Sequence, residues 1–323
     1  MPSPSLQGLV LRVDAKICHV EVDGEVRQLP LAGKLFETRT HEKRPLTVGD
    51  LVVLDATGQS IDALQPRTSQ LHRRAAGEGS PRSQVLAANI THVIVTASVT
   101  EPPFQPVLTD SVLAAARREQ IPATLVLTKQ DRDPALAAEL AAIYERIGVA
   151  VLITSTHPDH ETTATLESLG RLLHANRSVL TGLSGAGKST LLNRLVPGAN
   201  LRTGSLSRIR QGKHTTSHTE LIPLPGGGYV LDTPGVRSFA LFCVGPQELQ
   251  FLFPEIGERL PRCEFRSCLH ENEANCAVLA AVEGGDIAAS RYASYRLLLA
   301  DARGEDKADA EAERPQQRRR RPR

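Results

Sequence analysis

Gly182-Leu183-Ser184-Gly185-Ala186-Gly187-Lys188-Ser189-Thr190 is the stretch on which the fold of this 323-residue chain turns. It fits the pattern GxxxxGK[ST] and lies between a strand-like run, residues 177–181, and a run of helical apolar spacing, residues 188–196, that stops at Pro197. Glycines let backbone N–H groups turn inward onto a polyphosphate, and the helix amino end adds partial positive charge. Lys188 then reaches the terminal phosphates and the Ser189 hydroxyl is placed to ligate magnesium. A bare glycine-rich turn is the alternative, but it would not need Lys followed by Ser at the helix start. The stretch predicts a nucleoside triphosphate site.

The base is chosen elsewhere. Thr128-Lys129-Gln130-Asp131 follows the apolar run 123–127 and so falls at the carboxyl end of a strand, where ligand loops gather in open α/β sheets. An aspartate there accepts the two N–H donors of the guanine edge, which adenine lacks, while the lysine stem covers the base. Asp131 could instead cap the next helix, but Asp133-Pro134 is the better cap, with proline at the first helical position. A third piece, Asp232-Thr233-Pro234-Gly235, ends a short strand and matches the DxxG switch, whose Asp holds magnesium through water and whose Gly N–H senses the third phosphate. Ordinary small GTPases place the guanine motif last. Here it comes first, which predicts a circular permutation with the site itself unchanged. The DxxG segment then leads straight into the domain that follows.

Four zinc-type ligands come next, Cys263, Cys268, His270 and Cys276, in the spacing Cys-x4-Cys-x-His-x5-Cys. They satisfy a closed tetrahedral site with no place left for water, so the ion would be structural. A disulfide is the competing assignment, but MPSPSLQG lacks the apolar core of a secretory signal, and Cys18 and Cys243 lie far from the cluster.

Permuted guanine motif, phosphate loop, DTPG and this cysteine pattern together resemble the ribosome small-subunit-dependent GTPase A family over roughly residues 1–300. The resemblance implies an α/β fold: a circularly permuted P-loop GTPase domain (72–244) with an amino-terminal OB-fold β-barrel that binds RNA (1–71) and a carboxyl-terminal zinc-binding helical domain (245–300). It implies a GTP hydrolase, with GTP and GDP as ligands, that binds the small ribosomal subunit and its rRNA and assists late maturation. One structural zinc per chain and magnesium carried with GTP are the implied cofactors. Ser155, just past a strand end, resembles the remaining base-contact loop. Residues 211–217 (QGKHTTS) resemble the first switch, with Thr215 and Thr216 both candidates to close over magnesium. His214 is either a solvated loop residue or one that positions water.

Two departures stand out. Thr128 occupies the place of an Asn that usually bonds both base and phosphate loop, and the lost amide should cost about 1 kcal/mol of nucleotide binding. Val236, directly after DTPG, replaces the Gln that orients the attacking water in many GTPases, so intrinsic hydrolysis should be slow. The resemblance implies the same apolar residue, with stimulation by the ribosomal particle.

Around this core, residues 6–13, 16–22, 25–29 and 51–55 alternate as short strands separated by turns, a small-barrel signature. Lys34, Arg39, Lys43 and Arg44 in its loops suit phosphate backbones, or form an ordinary solvated face. Phe36 is the one aromatic there, so binding would be electrostatic more than stacking. Residues 91–181 alternate strand-like runs with helical ones around Leu113, Leu140 and Leu169, which predicts a doubly wound parallel sheet. Residues 218–225 and 229–232 flank three glycines and predict a hairpin. Residues 247–262 and 278–299 predict helices enclosing the zinc ligands, with Arg262, Arg266, Arg291 and Arg296 giving that domain basic character. Residues 301–323 turn from acid- and Ala-rich to a terminal arginine run, Arg318 to Arg321 and Arg323, and predict a disordered tail that adds RNA affinity or is merely solvated.

The formal charge of +2 does not itself announce nucleic acid, and no run of about eighteen apolar residues could span a membrane. A cytoplasmic monomer is expected. Two other classes stay in view: an RNA-binding assembly factor that senses nucleotide without useful turnover, favoured by Val236 and Thr128, and a P-loop kinase, which would leave the guanine motif unexplained.

Overall fold

The computed structural model describes residues 6–14, 17–30, 46–74, 83–155, 157, 162–196, 219–232 and 244–312. The chain begins with β1 (Gln7–Val13), β2 (Ile17–Val22), β3 (Glu25–Pro30), β4 (Leu51–Leu54) and β5 (Ile61–Leu64), all paired antiparallel in the order β3-β2-β1-β4-β5. Alternation sends Val10, Cys18, Val20, Val22, Val52, Leu54 and Ile61 into a small core of their own. β5 carries two exposed residues in four, Asp62 and Ala63, and so is not marked by the alternation that reveals the other four strands. Lys34, Phe36, Arg39, Lys43 and Arg44 lie outside the described residues.

A hairpin, β6 (Gln70–Arg74) with β7 (Ser83–Ala88), leads into the second unit, so the expected boundary at 71/72 falls inside a strand. There β8 (His92–Ser98), α1 (Pro106–Arg118), β9 (Ala123–Thr128), α2 (Pro134–Arg146), β10 (Ala150–Ile153), α3 (Thr163–Ala175), β11 (Arg177–Thr181) and α4 (Lys188–Leu195) alternate as predicted. β12 (Glu220–Pro223) and β13 (Tyr229–Asp232) form the predicted hairpin. Strands pair in parallel in the order β10-β9-β8-β11-β13, and β12 joins antiparallel. Both faces are covered by apolar side chains, with Val93, Val95, Leu125 and Leu127 on one face and Ile94, Val126, Leu180 and Val230 on the other. β12 also meets β1 through Arg12 and Glu220, which makes one eleven-stranded sheet of the amino-terminal antiparallel strands and the parallel strands.

The helical unit differs from the two long helices expected. Residues 246–262 break into α5 (Pro246–Leu249), a 3-10 turn (Gln250–Leu252), α6 (Pro254–Gly257) and another 3-10 turn (Leu260–Arg262), because Pro254 and Pro261 remove the N–H groups a continuous helix needs. α7 (Ala277–Glu283) stops at Gly284-Gly285, the second with φ +78°, and α8 starts afresh over Ala289–Ala312. α8 therefore carries residues 301–312, expected as tail, within a helix. Ala, Glu, Asp, Arg and Lys dominate there, and no proline interrupts them. Val244, Leu249, Phe253, Ile256, Tyr295 and Leu299 form the core of this unit, joined by Ala114 of α1.

Arg291 is not part of a basic surface; it is 3% exposed and lies in the seam between α1, α6 and α8. It donates to Asp110 Oδ1 at 2.6 Å and to Glu255 Oε1 at 2.8 Å, with its guanidinium 4.5 Å from the Phe253 ring centre. Tyr144 OH donates to the same Asp110 oxygen at 2.8 Å. Arg296 faces Glu271 at 3.6 Å, and Arg262 and Arg266 remain exposed.

Candidate nucleotide site and metal centre

All five parallel strands end on one side of the sheet, and the loops that follow them build the site. After β11 the backbone turns through Gly182, Gly185 and Gly187 at φ +139°, +83° and +88°. Gly182 allows no substitute, since a Cβ there would collide with the carbonyl oxygen of Thr96 in β8. Gly187, in the left-handed region, is the N-cap of α4, whose first turn presents Lys188, Ser189 and Thr190. Leu183 is half-buried, Ser184 and Gly185 are exposed at the rim, and Ala186 is buried beneath them. Lys188 Nζ donates to the Gly182 and Leu183 carbonyls at 2.7 and 2.6 Å, folding its charge over the loop a polyphosphate would occupy.

The neighbouring loop completes the other half. β9 ends at Thr128, Lys129 turns left-handed at φ +59°, and a 3-10 turn carries Gln130, Asp131 and Arg132. Asp133 does cap α2, accepting from Leu136 N at 2.9 Å with Pro134 at the first position, so Asp131 is not consumed as a cap. Asp131 instead accepts from the Ser155 hydroxyl at 2.5 Å. That bond holds its carboxyl below the usual carboxylate range. Ser155, buried just beyond β10, thus meets the guanine motif across 24 residues of sequence. Gln130 N donates to Thr154 O at 3.4 Å, and Lys129 Nζ donates to Glu101 O. Thr128 Oγ1 donates to Ala186 O at 2.9 Å, so the two motifs touch. Asp232 closes β13 beside β11. His214, Thr215, Thr216, Thr233, Pro234, Gly235 and Val236 lie outside the described residues.

The four metal-type ligands converge in the helical unit. Cys263 follows a 3-10 turn, Cys276 is the N-cap of α7, and His270 sits between them at φ +62°. Their ligand atoms all lie within 4.8 Å of one another. Cys263 and Cys268 Sγ are 3.9 and 3.7 Å from Cys276 Sγ, and His270 Nδ1 is 3.3 Å from Cys276 Sγ and 3.7 Å from Cys263 Sγ. Tetrahedral sulfurs at the usual zinc–thiolate length would stand about 3.8 Å apart, so the cluster fits a metal ion as it stands. Among the described residues the other cysteine is Cys18, buried in the core of the amino-terminal strands. Gln250, which nothing in the sequence pattern marks, stands behind the histidine with Oε1 3.1 Å from Nε2.

A phosphate loop bonded to a guanine-type loop that precedes it in the chain defines a circularly permuted P-loop GTPase. Comparison with known proteins narrows the class. The chain belongs to the RsgA GTPase family, whose pattern its residues 64–242 match. Residues 177–312, starting at β11, also match the family described as 50S ribosome-binding GTPase. A protein of Moorella thermoacetica named small ribosomal subunit biogenesis GTPase RsgA is 37% identical over 300 residues, covering 92% of this chain and 97% of that protein. One of the same name from Chlorobaculum tepidum is 35% identical over 309 residues, covering 91% and 97%. The crystal structure of YjeQ from Thermotoga maritima superposes with a TM-score of 0.74 at 30% identity, covering 93% and 99% of the two chains. That of YloQ, described as a circularly permuted GTPase, superposes at 0.69 with 27% identity over 94% and 96%. The chain is accordingly a GTP hydrolase. Among the described residues no helix is long and apolar enough to cross a membrane.

Proposed function

We propose that this chain is an assembly GTPase of the small ribosomal subunit, a cytoplasmic monomer that hydrolyses GTP to GDP and phosphate mainly when docked on the immature particle. The bond from Thr128 to Ala186 carries the nucleotide half of this proposal, because it joins a base-reading loop to a phosphate-reading loop at hydrogen-bond distance. Asp131, aligned by Ser155, accepts the guanine N–H donors while the Lys129 stem lies along the base. Gln130 and Thr190 line the pocket, and N–H groups of residues 182–190 hold the phosphates. Lys188 exchanges its carbonyl partners for phosphate oxygens and stabilises the charge that develops as the terminal phosphoryl leaves. Ser189, Asp232 and one of Thr215 and Thr216 would hold the magnesium that accompanies GTP, which neutralises phosphate charge when bound. The Gly235 N–H senses the third phosphate, and His214 aligns the attacking water.

Strands β1–β5 serve as the RNA-binding OB-fold barrel, the parallel sheet with its helices as the GTPase and residues 245–312 as the helical domain, with zinc held by Cys263, Cys268, His270 and Cys276. The names of the relatives support the ribosomal target. Val236 supports a division of labour in which the particle supplies what an apolar side chain cannot. GTP turnover of the purified chain, alone and with added small ribosomal subunits, tests the proposal. Strong stimulation, abolished by Ser189→Ala, is expected. Tight nucleotide binding without stimulated turnover would favour the alternative Val236 also suits, a nucleotide-sensing RNA-binding factor.

A further inference from the structure

Gln250 is 2% exposed and makes two side-chain hydrogen bonds of defined sense. Its Nε2 donates to the Gln247 carbonyl at 3.0 Å, which only the amide nitrogen can do, and this turns Oε1 toward His270 Nε2 at 3.1 Å. An amide oxygen accepts and never donates, so Nε2 of the imidazole carries the proton. A neutral imidazole has one ring N–H, which leaves the Nδ1 lone pair directed at Cys263 and Cys276. The histidine backbone is held as well, since Tyr292 OH donates to His270 O at 2.7 Å.

We propose that Gln250 is the positioning residue of the metal centre, fixing the tautomer and orientation in which His270 ligates through Nδ1. The inference rests on the reading of Cys263, Cys268, His270 and Cys276 as a metal site. Among the described residues Gln250 belongs to the first turns that follow β13, and Glu248 beside it pairs with Arg118 of α1 at 2.8 Å. Gln250 thereby bonds the metal cluster to the segment through which the GTPase enters the helical unit.

The test uses the full chain. Metal content comes first: a purified chain with no bound metal overturns the metal reading itself, independently of Gln250. With zinc present, a long-range proton–nitrogen NMR correlation of the imidazoles should show His270 protonated at Nε2 and metal-bound at Nδ1; the reverse assignment overturns the proposal. Zinc transfer to a chromogenic chelator should run roughly 10- to 100-fold faster in Gln250→Met, which keeps the bulk and loses the acceptor, and faster by a smaller factor in Gln250→Glu, which keeps the acceptor but loses the donor to the Gln247 carbonyl. Equal rates for Gln250→Met and the native chain would likewise overturn it. Should Gln250→Met fail to fold, the tautomer measured on the native chain decides.

Discussion

Thr128 donates its hydroxyl proton to the carbonyl oxygen of Ala186 across 2.9 Å, bonding the end of β9 to the floor of the phosphate loop. A hydroxyl has one proton, so a threonine that spends it on the loop has none left to donate to a base. Removing the hydroxyl in Thr128→Val should weaken GDP binding by about 1 kcal/mol, roughly fivefold. Thr128→Asn, whose amide offers a second donor, should tighten it by a similar factor. Titration of a fluorescent GDP against the three proteins checks both directions, and equal affinities would show the bond to be idle.

Ser155 tunes Asp131, the group proposed to read the base. Its hydroxyl favours the ionised form of Asp131, so the carboxylate persists as pH falls below the ordinary aspartate range. The part of GTP affinity that depends on ionised Asp131 should therefore be lost only below the ordinary aspartate range in the native chain. In Ser155→Ala the Asp131 titration moves up toward its usual value, and affinity should begin to fall at a higher pH. Asp131→Asn should lose GTP and gain xanthosine triphosphate, whose extra carbonyl wants a donor. Retained GTP preference in that variant would remove Asp131 from base recognition.

The phosphate loop, the guanine motif and the cysteine cluster were legible because their chemistry binds residue types to short spacings, and the flanking strands ended where the apolar runs end, at Thr128 and Thr181. Contacts across long sequence separations left no such mark. Arg291 read as a surface cation, yet its partners Glu255 and Asp110 lie 36 and 181 residues away and only the folded seam brings them together. Gln250 read as one polar position in a helical run, since nothing local records that a histidine 20 residues later needs an acceptor. The same run hid Pro254, whose effect on the helix outweighed the apolar spacing around it.

The Arg291 seam should control how firmly the helical unit holds the GTPase. Burial opposes the charge on Asp110, and Arg291 answers it. Arg291→Met would leave two carboxylates buried without their cation, a change expected to cost about 3–5 kcal/mol of stability. Tyr144→Phe removes a single hydrogen bond to a carboxylate and should cost less, about 1.5–3 kcal/mol. Urea unfolding of both variants beside the native chain measures the ranking. A smaller loss for Arg291→Met than for Tyr144→Phe would mean that packing against Phe253, and not charge, holds the seam.

Metal removal should act on one unit and spare the other. Cys268 and Cys276 belong to the same small core as Phe253 and Tyr295, so the ligands and the packing of the helical unit are one structure. Structural zinc supplies on the order of 10 kcal/mol to domains of this kind, comparable with the whole stability of a typical domain. A strong chelator should therefore introduce a separate low-temperature transition with loss of helical circular dichroism, reversed by added zinc. The phosphate loop and the guanine loop lie on the parallel sheet and make none of these contacts, so GDP affinity should change little. Stimulation of GTP turnover by small ribosomal subunits should disappear along with the helix signal. A melting curve untouched by the chelator would show that the four ligands support the fold without a metal ion.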